Sequence, residues 1–136
     1  MISVYNVKLP NKSLSNFQLI DAAKALKIPY FRGVFMRDKL PKKPYSKECG
    51  ILNLDDFTGN GTHWVAWHKN GKEKFYFDSF GLIPPDEIVA YLKSPIRWNT
   101  ERVQPDDQVF CGHLCLYVLK RLSEGKNLQV VVNNLY

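Results

Sequence analysis

The segment HWVAWHKNGKEKFYFDSF, residues 63–80, constrains the fold more than any other stretch of the chain. Two short runs rich in aromatic and β-branched residues flank Asn70-Gly71, and both of those residues tolerate positive φ. The pattern predicts an antiparallel hairpin in which pairing runs roughly back from residues 69 and 72 and brings Asp78 opposite or nearly opposite His63. CGILNL, residues 49–54, reads as a further strand. Upstream, LSNFQLIDAAKAL carries a helix-start signature: Ser15 and Gln18 form a capping box, and Leu14 and Leu19 a hydrophobic staple. Leu19, Ala23 and Leu26 recur at helical spacing until Pro29. PPDEIVAYLK, with proline and acidic residues in its first turn before Ile88, Val89 and Leu92, predicts a second helix. IRWNTERV returns as a strand. A third helix starts near Cys111, with Leu114, Cys115, Val118 and Leu122 on one face and Gly125 as its stop. A helix, a sheet with an inserted helix, and a buried last helix define an α+β fold.

At 136 residues, with no internal repeat and no linker, residues 1–136 read as a single domain. No apolar run is long enough to cross a bilayer, so no membrane association is expected. The N-terminus MISVYNVKLPNKS lacks the marks of a secretory signal, which makes cytosolic or nuclear residence the expectation. Cys49, Cys111 and Cys115 cannot all pair within one chain, and their spacing matches neither a zinc site nor CxxC. Free thiols and no metal follow. The net charge of +6 is partly gathered in RDKLPKKPYSK, where Arg37, Lys39, Lys42, Lys43 and Lys47 face Asp38 alone. Such a cluster suits nucleic acid or an acidic partner, and equally suits a solvated loop.

The chemistry-bearing pattern centres on Cys111. A cysteine in the first turn of a helix meets unpaired N–H groups and the positive end of the helix dipole, which favour a thiolate nucleophile. Gly112 leaves room beside it for a substrate backbone, and the polar run before it offers donors to an oxyanion. Of the histidines that can serve as base, His63 stands at a strand end after the glycine-rich TGNGT. His68 falls on the opposite strand face and reads as solvent-exposed, whereas His113 turns away from the cysteine's face of the helix. Asp78, on the partner strand, is placed to orient His63. Asp55 and Asp56 look like loop caps, and Asp106 and Asp107 lie too near Cys111 in sequence. Cys49 and Cys115 read as core.

These residues resemble the adenovirus-type cysteine endopeptidases (adenain), within the wider clan of SUMO and ubiquitin-like-protein proteases. GTHWVAW is similar to that family's histidine motif, YFDSFG to its acidic motif, and VQPDDQVFCGHLCLYVL to its glutamine and cysteine motifs. Upstream, IPYFRGVFMRDKLP and KECGILNL resemble the segments before the family's histidine, so the likeness spans roughly residues 14 to 122. It implies a papain-like, adenain-like fold in which a central mixed sheet packs on the helix that begins at the catalytic cysteine. By position it implies Cys111 as nucleophile, His63 as general base and acid, Asp78 as its orienting carboxylate, and Gln104 as side-chain donor of the oxyanion hole. Trp64 and Gly112 would meet the substrate. The glutamine seven residues before the cysteine follows the adenain spacing, and Gln108 fits neither family pattern.

The family's enzymes continue with a long helical part beyond the cysteine helix, which this sequence lacks. It also has no cysteine between Asp78 and Cys111, so the disulfide-linked peptide cofactor of the adenoviral enzymes is not expected. No cofactor is required by the sequence. DNA stimulation is implied by the resemblance, with Arg37, Lys39, Lys42, Lys43 and Lys47 as the basic surface. The implied activity is hydrolysis of viral or virus-like-element precursor proteins at glycine-containing sites, inside the host nucleus or cytoplasm or in the virion. An isopeptidase (deubiquitinase or SUMO type) acting on ubiquitin-like tails, and a catalytically silent basic binding module, are the two alternatives.

Overall fold

Ser15 closes an extended run and caps the first long helix. Its hydroxyl accepts from the Gln18 amide at 3.1 Å, and the Gln18 side chain accepts from the Ser15 amide at 2.9 Å, completing the expected capping box. The computed structural model describes residues 1–55, 63–103 and 110–135. Within them, β1 (Ile2–Val4) and β2 (Val7–Leu9) form a small hairpin, followed by α1 (Asn16–Ala25), β3 (Phe31–Met36), β4 (Lys47–Asn53), β5 (Trp64–Asn70) and β6 (Glu73–Phe77). Next come α2 (Asp86–Leu92), β7 (Arg97–Trp98), α3 (Cys111–Ser123) and α4 (Leu128–Asn133). The five-stranded sheet has the order β3-β4-β5-β6-β7, antiparallel through β4, β5 and β6 and parallel at both outer pairs. This is the α+β arrangement with a mixed sheet that the sequence predicts.

Both faces of the sheet are covered. On one, Cys49, Ile51, Ala66, Phe75 and Phe77 join a core with Leu19 and Ala23 of α1 and Cys115, Leu116 and Leu119 of α3. On the other, Leu52, Val65, Trp67 and Tyr76 pack with Ile88, Tyr91 and Leu92 of α2. Two-sided burial explains why these strands read as apolar runs rather than clean alternation.

Several expectations are corrected by this arrangement. The hairpin pairs Asn70 with Glu73, so its turn residues are Gly71 and Lys72 rather than Asn70 and Gly71. Gly71 alone takes up the positive φ there, at 63°. The register places Asp78 beyond the end of β6, level with Val65 by extension of the ladder and so two residues from direct opposition to His63. His68 is half-buried rather than solvent-exposed, because its face of the sheet is covered too and it lines a pocket with Pro29 and Leu122. Helix α1 stops before Pro29: Lys27 turns left-handed (φ 56°), and Ile28 donates back to Ala23 at 3.1 Å in a Schellman-type ending. Helix α3 buries Gly112, His113, Leu116 and Leu119 besides Cys115, Val118 and Leu122, while Leu114 is half-buried, so the predicted apolar face was drawn too narrowly. IRWNTERV contributes a strand of only two residues. The β1–β2 hairpin, β3 and α4 were not anticipated.

Candidate active site

Three elements converge at one end of the sheet. His63 directly precedes β5, Asp78 directly follows β6, and Cys111 opens α3. The ladder that pairs Ala66 with Phe77 puts residues 63 and 78 on the same face, since each lies an odd number of positions from that pair. His63 Nε2 lies 2.7 Å from Asp78 Oδ1. Both side chains are buried, with 8% and 0% exposure, so their attraction is little weakened by water. Phe80 donates its amide to the same Asp78 oxygen at 2.8 Å, which fixes the carboxylate's rotamer. The Phe80 ring stacks flat on the imidazole at 4.4 Å and 3°. The Arg102 guanidinium caps the Phe80 ring at 4.4 Å.

Cys111 is buried, and its Sγ accepts from the Trp64 amide at 3.5 Å. One helical turn on, the Cys115 thiol donates to the Trp64 carbonyl at 3.4 Å. The first residue of β5 is thus held at its N–H and its C=O by two thiols of α3, which seats the helix start against the strand that follows His63. Burial disfavours a charged His63, but the hydrogen bond to the Asp78 carboxylate, together with the neighbouring Cys111, outweighs it and raises the imidazole to about 9. With Nε2 committed to Asp78, Nδ1 is buried and has no hydrogen-bond partner among the described residues.

The other histidines are elsewhere. His113 Nε2 donates to the Pro10 carbonyl at 2.8 Å, and burial lowers its affinity for a proton, as burial does for His68. Cys49 and Cys115 are buried; desolvation pushes the Cys49 thiol up to about 12 and raises Cys115 well above its ordinary value. The Asp55 amide donates to Asn53 and its carbonyl accepts from the Arg37 amide. Gln104, Asp56, Asp106, Asp107 and Gln108 lie outside the described residues.

Trp64 is buried and its indole N–H donates to the Leu14 carbonyl at 3.0 Å, yet it also forms a wall of a cleft of about 810 Å³ between the start of α1 and β3. Gly112 faces inward. A Cβ there would stand 3.1 Å from Leu19 Cδ2 and 3.4 Å from the Trp64 ring, so its missing side chain serves the seating of α3 on α1 and β5. In the basic segment, Arg37 is engaged: it makes a two-pronged ion pair with Glu87 (2.8 and 3.1 Å) and donates to the Leu54 carbonyl at 3.1 Å. Lys47 lies over the Tyr30 ring at 5.9 Å, and Lys39 also has an interaction partner. Lys42 and Lys43 are exposed.

A residue that sequence reasoning missed is Asn99, buried against Asp78. An asparagine after a short strand looks like any turn former, and its one signal was its place directly behind the two residues of β7.

Cys111, His63 and Asp78 are all buried and lie at a helix start and a sheet end. No family model matches the sequence, and no curated protein matches it. Among solved structures, the fold is that of the ASFV pS273R protease: 20% identity and a TM-score of 0.64 over 90% of this chain and 62% of that one. A selenomethionine form of the same protease gives 18% identity and a TM-score of 0.62 over the same shares. The chain thus spans less than two thirds of the length of the protease it resembles, and at this identity the likeness shows the fold. The adenain family in particular is not confirmed by these two likenesses.

Proposed function

We propose that the protein is a cysteine protease. The observation that carries this reading is the buried 2.7 Å contact between His63 and Asp78, on an imidazole that is also raised by Cys111. In the proposed reaction the Cys111 thiolate attacks the scissile carbonyl carbon, forming a C–S bond and a tetrahedral oxyanion. The His63 imidazolium then gives its proton to the departing amine, leaving a thioester. Water, deprotonated by the now neutral His63, attacks the thioester; the C–S bond breaks, the acid product leaves, and the proton taken from water stays on the imidazole beside the released thiolate, restoring the ion pair. Asp78 keeps the ring oriented throughout and offsets its positive charge. Gln104 is proposed as the side-chain donor to the oxyanion, a contribution typically worth about 2.7–4 kcal/mol.

The proposed substrate is an extended polypeptide in a viral or virus-like-element precursor, cut at a glycine-containing site within an infected cell or virion. The cleft beside Trp64 supports an extended occupant. The exposed Lys42 and Lys43 support DNA as a stimulating partner. Turnover of a glycine-containing peptide and of a ubiquitin-like fluorogenic substrate by wild type and Cys111→Ala, with and without DNA, tests the assignment. Cleavage that disappears in the variant is the expected result. A ubiquitin-like substrate turned over far faster than the peptide moves the reading to an isopeptidase, and no cleavage with an ordinary rate of Cys111 alkylation rejects catalysis.

A further inference from the structure

We propose that Asn99 is a positioning residue of this site, holding the main chain of Asp78 at both its N–H and its C=O and so aiming the carboxylate at His63. Asp78 lies just past the last paired residue of β6, where the ladder no longer fixes it. Strand β7 runs parallel to β6 in the register Phe75 to Arg97 and Tyr76 to Trp98, which delivers Asn99 alongside the end of β6. Asn99 is 1% exposed, and its amide uses both ends there: Oδ1 accepts from the Asp78 N–H at 3.0 Å, and Nδ2 donates to the Asp78 carbonyl at 2.6 Å and to the Glu101 carbonyl at 3.1 Å. A side chain with a donor and an acceptor at that reach is needed. Aspartate lacks the donor and alanine lacks both.

The rest of the turn is seated on the same segment. Gly81 donates to the Asp78 carbonyl at 2.8 Å with φ at 73°, and a Cβ on it would stand 2.6 Å from the Thr100 carbonyl oxygen. The Val103 amide donates to the Ser79 carbonyl at 2.8 Å. Residues 99–103 therefore act as a rail along which the 78–81 turn is fastened, and Asn99 is its contact with the acid itself.

The consequence for turnover rests on the protease reading, whereas the clasp can be tested without it. The experiment is the NMR titration of His63 in wild type, Asn99→Ala and Asn99→Asp, alongside kcat and KM on a glycine-containing peptide. In Asn99→Ala, His63 is expected to titrate lower, moving from about 9 toward the ordinary 6.5 as its hydrogen bond to Asp78 loosens. In turnover, kcat is expected to fall about a hundredfold with KM little changed, the effect of misplacing a catalytic group by a fraction of its reach. Asn99→Asp should act in the same direction. If the Asn99 variants do not fold, Gly81→Ala, which pushes the rail from the turn side, should lower the His63 titration too. A folded Asn99→Ala with an unmoved His63 titration overturns the clasp. A wild type that hydrolyses nothing, in which Asn99→Ala still moves His63, overturns the protease reading and leaves the clasp standing.

Discussion

Two fully buried carboxylates stand at opposite ends of the same sheet, and their surroundings differ. Glu48, on β4, accepts from Arg32 Nη1 (2.9 Å) and the Tyr45 amide (2.6 Å) on one oxygen, and from Trp67 Nε1 (2.8 Å) and the Tyr91 hydroxyl (2.7 Å) on the other. The Arg32 guanidinium in turn lies on the Tyr45 ring at 3.7 Å. Asp78 has its two hydrogen bonds on Oδ1 alone, and among the described residues Oδ2 has no partner. One carboxylate is saturated by donors from β3, β5, α2 and the loop before β4, with a permanent cation. The other is held by its backbone and shared with a group that can gain and lose a proton. The first arrangement fixes a fold and the second leaves chemistry available, although both would look alike as a buried acid in a sequence.

The sharpest way to break this comparison is to exchange the effects. Asp78→Asn should lower kcat by about 10⁴-fold, because an amide presents the wrong partner to the imidazole, while unfolding shifts modestly. Glu48→Ala should do the reverse: it strands Arg32 and three other donors and destabilises by about 3–5 kcal/mol, with little change in activity per folded molecule. Since that is a large share of a typical domain's stability, of about 5–15 kcal/mol, Glu48→Gln is the companion variant, expected to cost about 1–3 kcal/mol. Chemical denaturation and active-site-titrated kinetics on the same samples separate the two effects. A Glu48→Gln protein as stable as wild type would remove the structural role assigned here.

A smaller effect comes from pH. His63 is raised above its ordinary 6.5 to about 9 in the folded protein, so its contribution to stability is fully present below 6.5 and is lost as pH rises through about 9. Thermal unfolding should show that alkaline decline in wild type, and the decline should shrink in Asp78→Asn. Activity should fall over the same alkaline limb, because the leaving amine needs the imidazolium proton.

How much of this was legible in advance follows from which signals are local. The capping box and the helix start at Cys111 are short-range patterns, and the structure contains both. The hairpin turn was misplaced by one residue, yet His63 and Asp78 still share a face, because moving a two-residue turn by one shifts the pairing by two and the strand period is two. Strand β3 hid itself: all six of its residues are half-buried without alternation, and Gly33 at φ 138° interrupts its ladder. Asn99 and most of the Glu48 network depend on partners distant in sequence, as from Arg32 to Glu48 (16 apart), Asn99 to Asp78 (21 apart) or Tyr91 to Glu48 (43 apart), and no local pattern announces them.

The smallest predicted effect concerns a third carboxylate, which extends the comparison to the surface. Glu87 meets Arg37 in a two-pronged pair, but the side chains are 37% and 35% exposed, so water competes for both. Hydrogen bonding to Arg37 holds Glu87 below the usual carboxylate range. Its loss in Arg37→Ala should still cost only about 0.2–1 kcal/mol, the scale of an exposed ion pair. The same variant sharpens the question of the basic segment. An Arg37 committed to Glu87 and the Leu54 carbonyl has few donors left for a phosphate, whereas Lys42 and Lys43 are exposed. If DNA binds this segment, affinity should fall in Lys42→Glu/Lys43→Glu and stay near wild type in Arg37→Ala, with a weaker salt dependence in the former alone. A salt titration of DNA affinity in which Arg37→Ala loses as much as the lysine pair would show that the ion pair opens on binding and that Glu87, unlike Glu48, gives up its partner.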